Sequence, residues 1–291
     1  MPRVTFGIIV LNGMPWLEPC IQSIAPYGPI VCAEGPVEWW ATQGRTTSTD
    51  GTNEVLNKFG IPTVHGTFAE KDEESNAYMP LVPEDTEFLF MCDSDEIWDA
   101  GTLEGIFKAL DSGDVDSMAF SPHTFYGGFE RVLCGFEEEF QWHRVQRWYP
   151  GAKWATHRPP AINAPDGRPW REHHHVDNVE TRRRGWRFAH PSYVLPSQVM
   201  DKVVYYRARN PDRVIPDYFQ RVYLPWVLGN DIARRIIEDE FDGVHEWLPS
   251  LRGPCRTRKF DGKLPYWLRQ HLPELQAQLE TELNEYRYQT C

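Results

Sequence analysis

The chain is poor in sulfur chemistry and has no long apolar run. Its six cysteines, Cys20, Cys32, Cys92, Cys134, Cys255 and Cys291, are scattered over 291 residues without a C-x-x-C pair. That spacing excludes a zinc ribbon and does not read as a disulfide framework, so a reducing interior is expected. No stretch approaches the ~18 consecutive apolar residues of a membrane helix. The amino terminus also lacks the charged and apolar regions of a secretory leader, so a soluble, cytoplasmic protein without a membrane span is expected. Positive charge is scarce as well. The 30 Lys and Arg stand against 42 Asp and Glu, a formal charge of −12, which makes nucleic acid and anionic membranes poor candidate partners. The one dense basic cluster, Arg182-Arg183-Arg184 with Arg187, reads as a solvated or phosphate-facing patch. No internal repeat and no low-complexity linker is found, which favours two lobes in one fused unit over two independent domains.

What is present is an alternation of short apolar runs and helical patterns. Val4 to Val10 reads as a strand ended by Asn12-Gly13, and Leu17, Ile21 and Ile24 fall on one helical face. Pro29 to Ala33 is a second strand with Glu34 at its carboxyl end, followed by a long polar, Trp-bearing loop to Ser48. Thr52 is placed to cap a short helix from Asn53 to Phe59. A brief strand at Thr63-Val64, a helix over 70–81 and an amphipathic helix over 100–110 follow. Strand and helix alternating at this spacing predict a mostly parallel α/β sheet flanked by helices. After residue 115 the texture changes: strands over 118–121, 140–149 and 186–190 are separated by long loops, and helical patterns over 211–243 and 265–287 close the chain. The expected division is 1–115 and 116–291.

The most informative segment joins these themes. Five apolar residues, Phe88 to Cys92, end abruptly in Asp93-Ser94-Asp95-Glu96. Ligands of open α/β sheets sit just beyond the carboxyl ends of such strands. Carboxylates at i and i+2 where a strand opens into a turn can share one hard divalent cation, Mn²⁺ or Mg²⁺, which in turn holds a diphosphate. Aromatic residues make up 13% of the chain, with 12 Trp. Most of these are expected in the core, but flat faces also suit sugar rings, and Trp142, Trp148, Trp154 and Trp170 are candidates for an acceptor platform.

The first hundred residues resemble the nucleotide-binding half of a GT-A-fold glycosyltransferase of the family 2 type. The resemblance rests on Leu11-Asn12 after the first strand, Glu34 after the second, the Ser48-Thr49-Asp50-Gly51-Thr52 element, Lys71 and Asn76 on one helix, and the Asp93-Ser94-Asp95 motif. It implies a Rossmann-like sheet with a C-terminal acceptor-side lobe ending in helices. It also implies a UDP- or GDP-sugar donor contacting Leu11, Asn12, Glu34, Asp50, Lys71, Asp93 and Ser94. Metal ligands would be Asp93 and Asp95, and inverting transfer would go to the hydroxyl of a glycan or other acceptor. One departure is the longer stretch between Glu34 and Ser48 than such enzymes commonly carry.

The second half resembles the family less closely. Arg144-Val145-Gln146-Arg147 and Thr156-His157 are similar to segments that place an R-x-x-R and a His-acid pair, but Arg158 stands where the acid is expected. The candidate bases are therefore Asp177, His157, Glu172 and Asp166. His190, before Pro191-Ser192-Tyr193, occupies a position where related enzymes carry an additional metal ligand. Consecutive residues point in different directions, so His173-His174-His175 reads as a loop surface or acceptor-site contact rather than a zinc centre. Two alternatives remain. One is a sugar nucleotidyltransferase of the same fold, although Asn12-Gly13-Met14-Pro15 lacks the expected glycine-rich basic loop. The other is a nucleotide- or sugar-binding protein without turnover.

Overall fold

The computed structural model describes residues 2–157, 160–167 and 174–289. Its strands, in chain order, are β1 (Val4–Val10), β2 (Ile30–Glu34), β3 (Thr63–His65), β4 (Phe88–Asp93), β5 (Ser117–Phe120), β6 (His123–Tyr126), β7 (Arg131–Leu133), β8 (Trp142–Arg147), β9 (Lys153–His157), β10 (Pro160–Asn163), β11 (His175–Val176), β12 (Ala189–Tyr193) and β13 (Thr257–Lys259). Two compact units divide them. The first comprises Met1–Ser121, Gln141–Phe188 and Pro265–Trp267; the second comprises Pro122–Phe140, Ala189–Leu264 and Leu268–Cys291.

The first unit is mixed α/β, built on a seven-stranded sheet of order β11-β5-β8-β4-β1-β2-β3. β3, β2, β1 and β4 run parallel, and β8 enters antiparallel between β4 and β5. Because side chains alternate along a strand, each central strand feeds two cores. Phe6, Ile8, Cys32, Phe90 and Cys92 pack on one face with Leu17, Ile21, Leu103 and Ile106 from the helices Leu17–Ile24 and Ala100–Asp111. Val31, Ala33, Leu89 and Met91 pack on the other with Tyr78 and Met79. Gly7 permits the close approach of the Lys71–Tyr78 helix, since a Cβ there would lie 2.6 Å from the Tyr78 ring. Trp148 and Trp154 are buried in this second core and Trp142 packs against the first, so these three do not form an exposed platform. Trp170 lies outside the described residues.

Several boundaries differ from the sequence reading for identifiable reasons. The helix expected from Asn53 runs Thr52–Lys58 and begins after Gly51, whose φ of 96° favours glycine. Thr52 is its first helical residue rather than its cap. The loop after Glu34 contains a short helix, Glu38–Thr42. The strand expected over 186–190 begins only at Ala189. Trp186 packs against Gly105, and Phe188 lies 4.8 Å from the Trp98 ring.

The second unit holds a four-stranded sheet, β12-β6-β7-β13, and most of the C-terminal helices. A helix over Pro196–Arg209, which hydrophobic periodicity did not reveal, follows β12. The final helix, Tyr266–Gln289, carries Pro273 inside it. No helix among the described residues is long and apolar enough to cross a membrane.

Candidate active site

Strand order locates the site. The chain lays down β1, β2 and β3 in one direction and then returns to place β4 on the other side of β1. The crevice at the carboxyl ends of β1 and β4 is therefore a topological switch point, where open α/β sheets bind their ligands. Asn12 leaves β1 at this point, and Asp93 leaves β4.

The β1 end is wired to the Ser48–Thr52 segment. Asn12 adopts φ 53°, a left-handed conformation that asparagine tolerates. Its N–H donates to Ser48 Oγ at 2.8 Å, and its Oδ1 accepts from the Thr49 N–H at 2.9 Å. The Gly13 N–H donates to Thr52 Oγ1 at 2.8 Å and the Met14 N–H to Asp50 Oδ2 at 2.8 Å. Asp50 Oδ1 accepts from the Thr52 N–H and hydroxyl at 3.1 and 2.7 Å, closing the turn ahead of the helix. Leu11, Asn12 and Asp50 are thereby brought into one patch.

Glu34 belongs to the same patch but faces inward. Only 1% exposed, it accepts from the Ser48 N–H at 2.6 Å, from the Thr47 hydroxyl at 3.2 Å and contacts His65 Nδ1 at 2.9 Å. Burial alone would raise its carboxyl, but the hydrogen bonds from His65, Ser48 and Thr47 hold it below the ordinary range. Its partners are thus the protein's own loop, and contact with a nucleoside would compete with them.

The β4 end is a tight turn. The Glu96 N–H donates to the Asp93 carbonyl at 3.0 Å, so Asp93 and Glu96 form its base while Ser94 and Asp95, half-buried, occupy its corner. Arg144, from β8, underlies it: Nε donates to both Glu96 oxygens at 2.8 and 3.0 Å, and Nη2 donates to Asp93 Oδ2 at 2.7 Å. Burial pushes the Glu96 carboxyl up while Arg144 opposes it, and the fully buried guanidinium is itself pushed up by Glu96 and Asp93. Nη2 donates to Glu96 Oε1 as well, so two donors fork onto that carboxylate in the geometry of an ion pair, and we assign it as one. The two turns are neighbours, since a Cβ on Gly13 would lie 3.4 Å from that of Ser94.

Among the described residues, no group of three or more His, Cys, Asp or Glu is arranged to hold a metal. The Asp93–Asp95 pair fits a different case, a hard cation that takes one or two protein carboxylates and completes its shell on a diphosphate.

Glu74 was not singled out by the sequence. It is buried on the Lys71–Tyr78 helix, and burial raises its carboxyl to about 8, against the opposing charge of half-buried Lys71 and a hydrogen bond from the Val10 backbone; Asp93 and Glu34 raise it further. The bond from Val10, the last residue of β1, places Glu74 at this end of the sheet, with Lys71 one turn before it on the same helix. The available signal was positional: Lys71, Glu74, Ser75 and Tyr78 share a helical face, but its polar members hid the pattern.

The remaining candidates have partners of their own or lie outside the described residues. Asp177 caps the helix Asn178–Arg183, with Oδ1 accepting from the Glu180 N–H at 2.8 Å. The D-x-x-E spacing 177–180 is a capping signature that the sequence reading passed over. His157 ends β9, its ring 6.4 Å from that of Trp154, and Asp166 lies in an exposed turn. Glu172 and His173 lie outside the described residues. His175 bonds Ser117 Oγ at 2.8 Å and stacks on His143. His190 belongs to the second unit, buried, with Nδ1 3.2 Å from Thr124 Oγ1.

No protein-family model matches the chain, and no curated protein matches it. Solved structures match it in part. S. aureus TarS 1–349 in complex with UDP-GlcNAc is 14% identical, over 44% of this chain and 36% of its own, with a TM-score of 0.34. Glucosyl-3-phosphoglycerate synthase from Mycobacterium tuberculosis in complex with Mn²⁺ and UDP-glucose is 16% identical, over 43% of this chain and 44% of its own, with a TM-score of 0.31. The match thus spans less than half the length of either protein.

Proposed function

We propose that the chain is a metal-dependent glycosyltransferase that moves a sugar from a UDP- or GDP-sugar to an acceptor hydroxyl with inversion. The observation that carries this reading is the pairing, at one switch point, of the wired Asn12–Thr52 patch with the acidic Asp93–Glu96 turn. The nucleoside would lie over Leu11, Asn12 and Asp50, with its diphosphate toward Ser94 and Asp95.

Asp95, with Asp93 beside it, would hold Mn²⁺ or Mg²⁺; when bound, such a cation neutralises the departing diphosphate. Lys71, at the same end of the sheet, offsets further phosphate charge. An acceptor hydroxyl attacking the anomeric carbon from the face opposite the diphosphate inverts it, and needs a base to take its proton. Asp177 is engaged as a helix cap, so His157 is the described candidate we carry forward for that base. His190 is buried in the second unit, where its Nδ1 meets Thr124 Oγ1.

The test is thermal stability with UDP, GDP and their sugars, each with and without Mn²⁺. A ligand that binds only the folded protein raises its melting temperature by mass action, and a shift by UDP or GDP that grows with Mn²⁺ is expected. Absence of any nucleotide shift, with or without the cation, would overturn the reading. Slow Mn²⁺-dependent hydrolysis of a nucleotide-sugar without acceptor then separates a transferase from a binding protein.

A further inference from the structure

We infer that Arg144 and Glu96 form a buried clamp that positions the Asp93–Asp95 turn for a cation-bound diphosphate, an inference that rests on the functional reading above. Neither residue is a ligand in this scheme. Glu96 is 0% exposed, and the Arg144 side chain is 5% exposed, whereas that of Asp93 is 27% exposed. The clamp therefore works from beneath while the turn's corner faces outward.

Asp93 and Glu96 are three residues apart and joined by the Glu96 N–H to Asp93 carbonyl bond. A single guanidinium reaches both side chains, with the donors at Nε and Nη2 set by one rigid plane. That fixes the Asp93 rotamer and draws one of its oxygens, Oδ2, inward. The geometry gives the two aspartates different tasks: Asp93 is held, and Asp95 is presented at the corner. The guanidinium also lies 5.0 Å from the Trp142 ring centroid and 6.0 Å from that of Phe188, which restricts its own movement.

A carboxylate held by such a partner loses metal affinity when the partner is removed, typically by 10–100-fold. A purely structural ion pair would instead change stability and leave affinity alone. The two are separable because a buried pair can be replaced as a unit, whereas removing one partner leaves an uncompensated charge.

The experiment compares wild type, Arg144→Lys and the double variant Glu96→Gln/Arg144→Gln, measuring UDP affinity by calorimetry with and without saturating Mn²⁺, alongside melting temperature. The lysine variant keeps the charge but loses the fork, so it guards against failure of the double variant to fold. In the wild type, Mn²⁺ should tighten UDP binding. In a folded variant, that Mn²⁺-dependent gain should fall by about tenfold or more while metal-free UDP binding persists. Variants that melt differently but retain the full Mn²⁺-dependent gain would overturn the clamp and leave the functional reading standing. A wild type without any Mn²⁺-dependent gain would overturn both.

Discussion

Two glutamates, one in each unit, are buried to a similar extent and driven in opposite directions. Glu74 is raised to about 8, whereas Glu137 is lowered to about 2. Burial pushes both upward. For Glu74 the neighbours opposing it are few, the Lys71 charge and one backbone donor, and Asp93 and Glu34 add repulsion. For Glu137 burial is outweighed by His245, whose Nε2 lies 3.6 Å from Oε2, and by the charges of His190 and Lys202, while Thr124 donates to Oε1 at 3.0 Å. Around it His245 Nδ1 lies 3.1 Å from Glu246 Oε2, and the Tyr193 hydroxyl donates to the same carboxylate. The first unit gathers like charges at a sheet end, where each opposes the ionisation of the others. The second unit closes its charges on one another.

That contrast can be broken by mutation, and the largest effect should come from Asp95. Asp95→Asn is expected to lower Mn²⁺-dependent hydrolysis of a nucleotide-sugar by a factor on the order of 100 or more, with the melting temperature unchanged. Undiminished turnover would remove the site from this turn.

In the second unit the effect should be on stability. Glu137→Ala leaves buried partners uncompensated and is expected to cost about 3 kcal/mol in denaturant unfolding at neutral pH. The same carboxyl sets an acid limit. A depressed group contributes stability above its unfolded value near 4.5, lost as pH falls toward about 2. The variant should therefore lack the part of the wild-type acid transition that Glu137 supplies; identical acid unfolding curves would refute the assignment.

Glu74 should behave with the opposite sign. A raised carboxyl contributes stability that is complete below about 4.5 and lost as pH rises through about 8. Glu74→Gln keeps the neutral shape, so it should stabilise the protein at pH 8 by about 4 kcal/mol and change nothing at pH 4. Equal effects at both pH values would mean that Glu74 is not the titrating group. The smallest effect is expected at Asp50. Asp50→Ala removes the acceptor for the Met14 and Thr52 N–H groups and should cost about 1 kcal/mol in unfolding. It should also weaken UDP binding in the absence of metal; unaltered binding would show that the patch does not carry the nucleoside.

The readable parts of the molecule were those whose partners lie close in sequence or repeat with a fixed period. β1, β2 and β4 announced themselves as apolar runs ended by polar steps, and the helices Leu17–Ile24 and Ala100–Asp111 by their apolar faces. The grouping of Asn12 with Asp50 was legible only through the resemblance, because the bonds that join their segments, Thr49 N–H to Asn12 and Met14 N–H to Asp50, link positions far apart in the chain. The capping of the Asn178–Arg183 helix by Asp177 is written in the D-x-x-E spacing, which does not say whether the same carboxylate also meets a substrate. The helix Pro196–Arg209 was missed because its buried positions, Pro196, Val199 and Val203, are thinly spread among polar and aromatic residues.

The sequence by itself determined the parallel α/β half and the acidic step at the end of its most apolar strand, since strand periodicity and turn chemistry are local properties. What those acids bond to was settled by the fold. Arg144 reaches Asp93 and Glu96 only because β8 inserts antiparallel beside β4. Glu34 turns inward only because the 47–48 segment folds back over it, and Glu74 and Glu137 part company only through the charges that distant segments bring to them. Electrostatic energy depends on separation in space, and separation along the chain does not encode it.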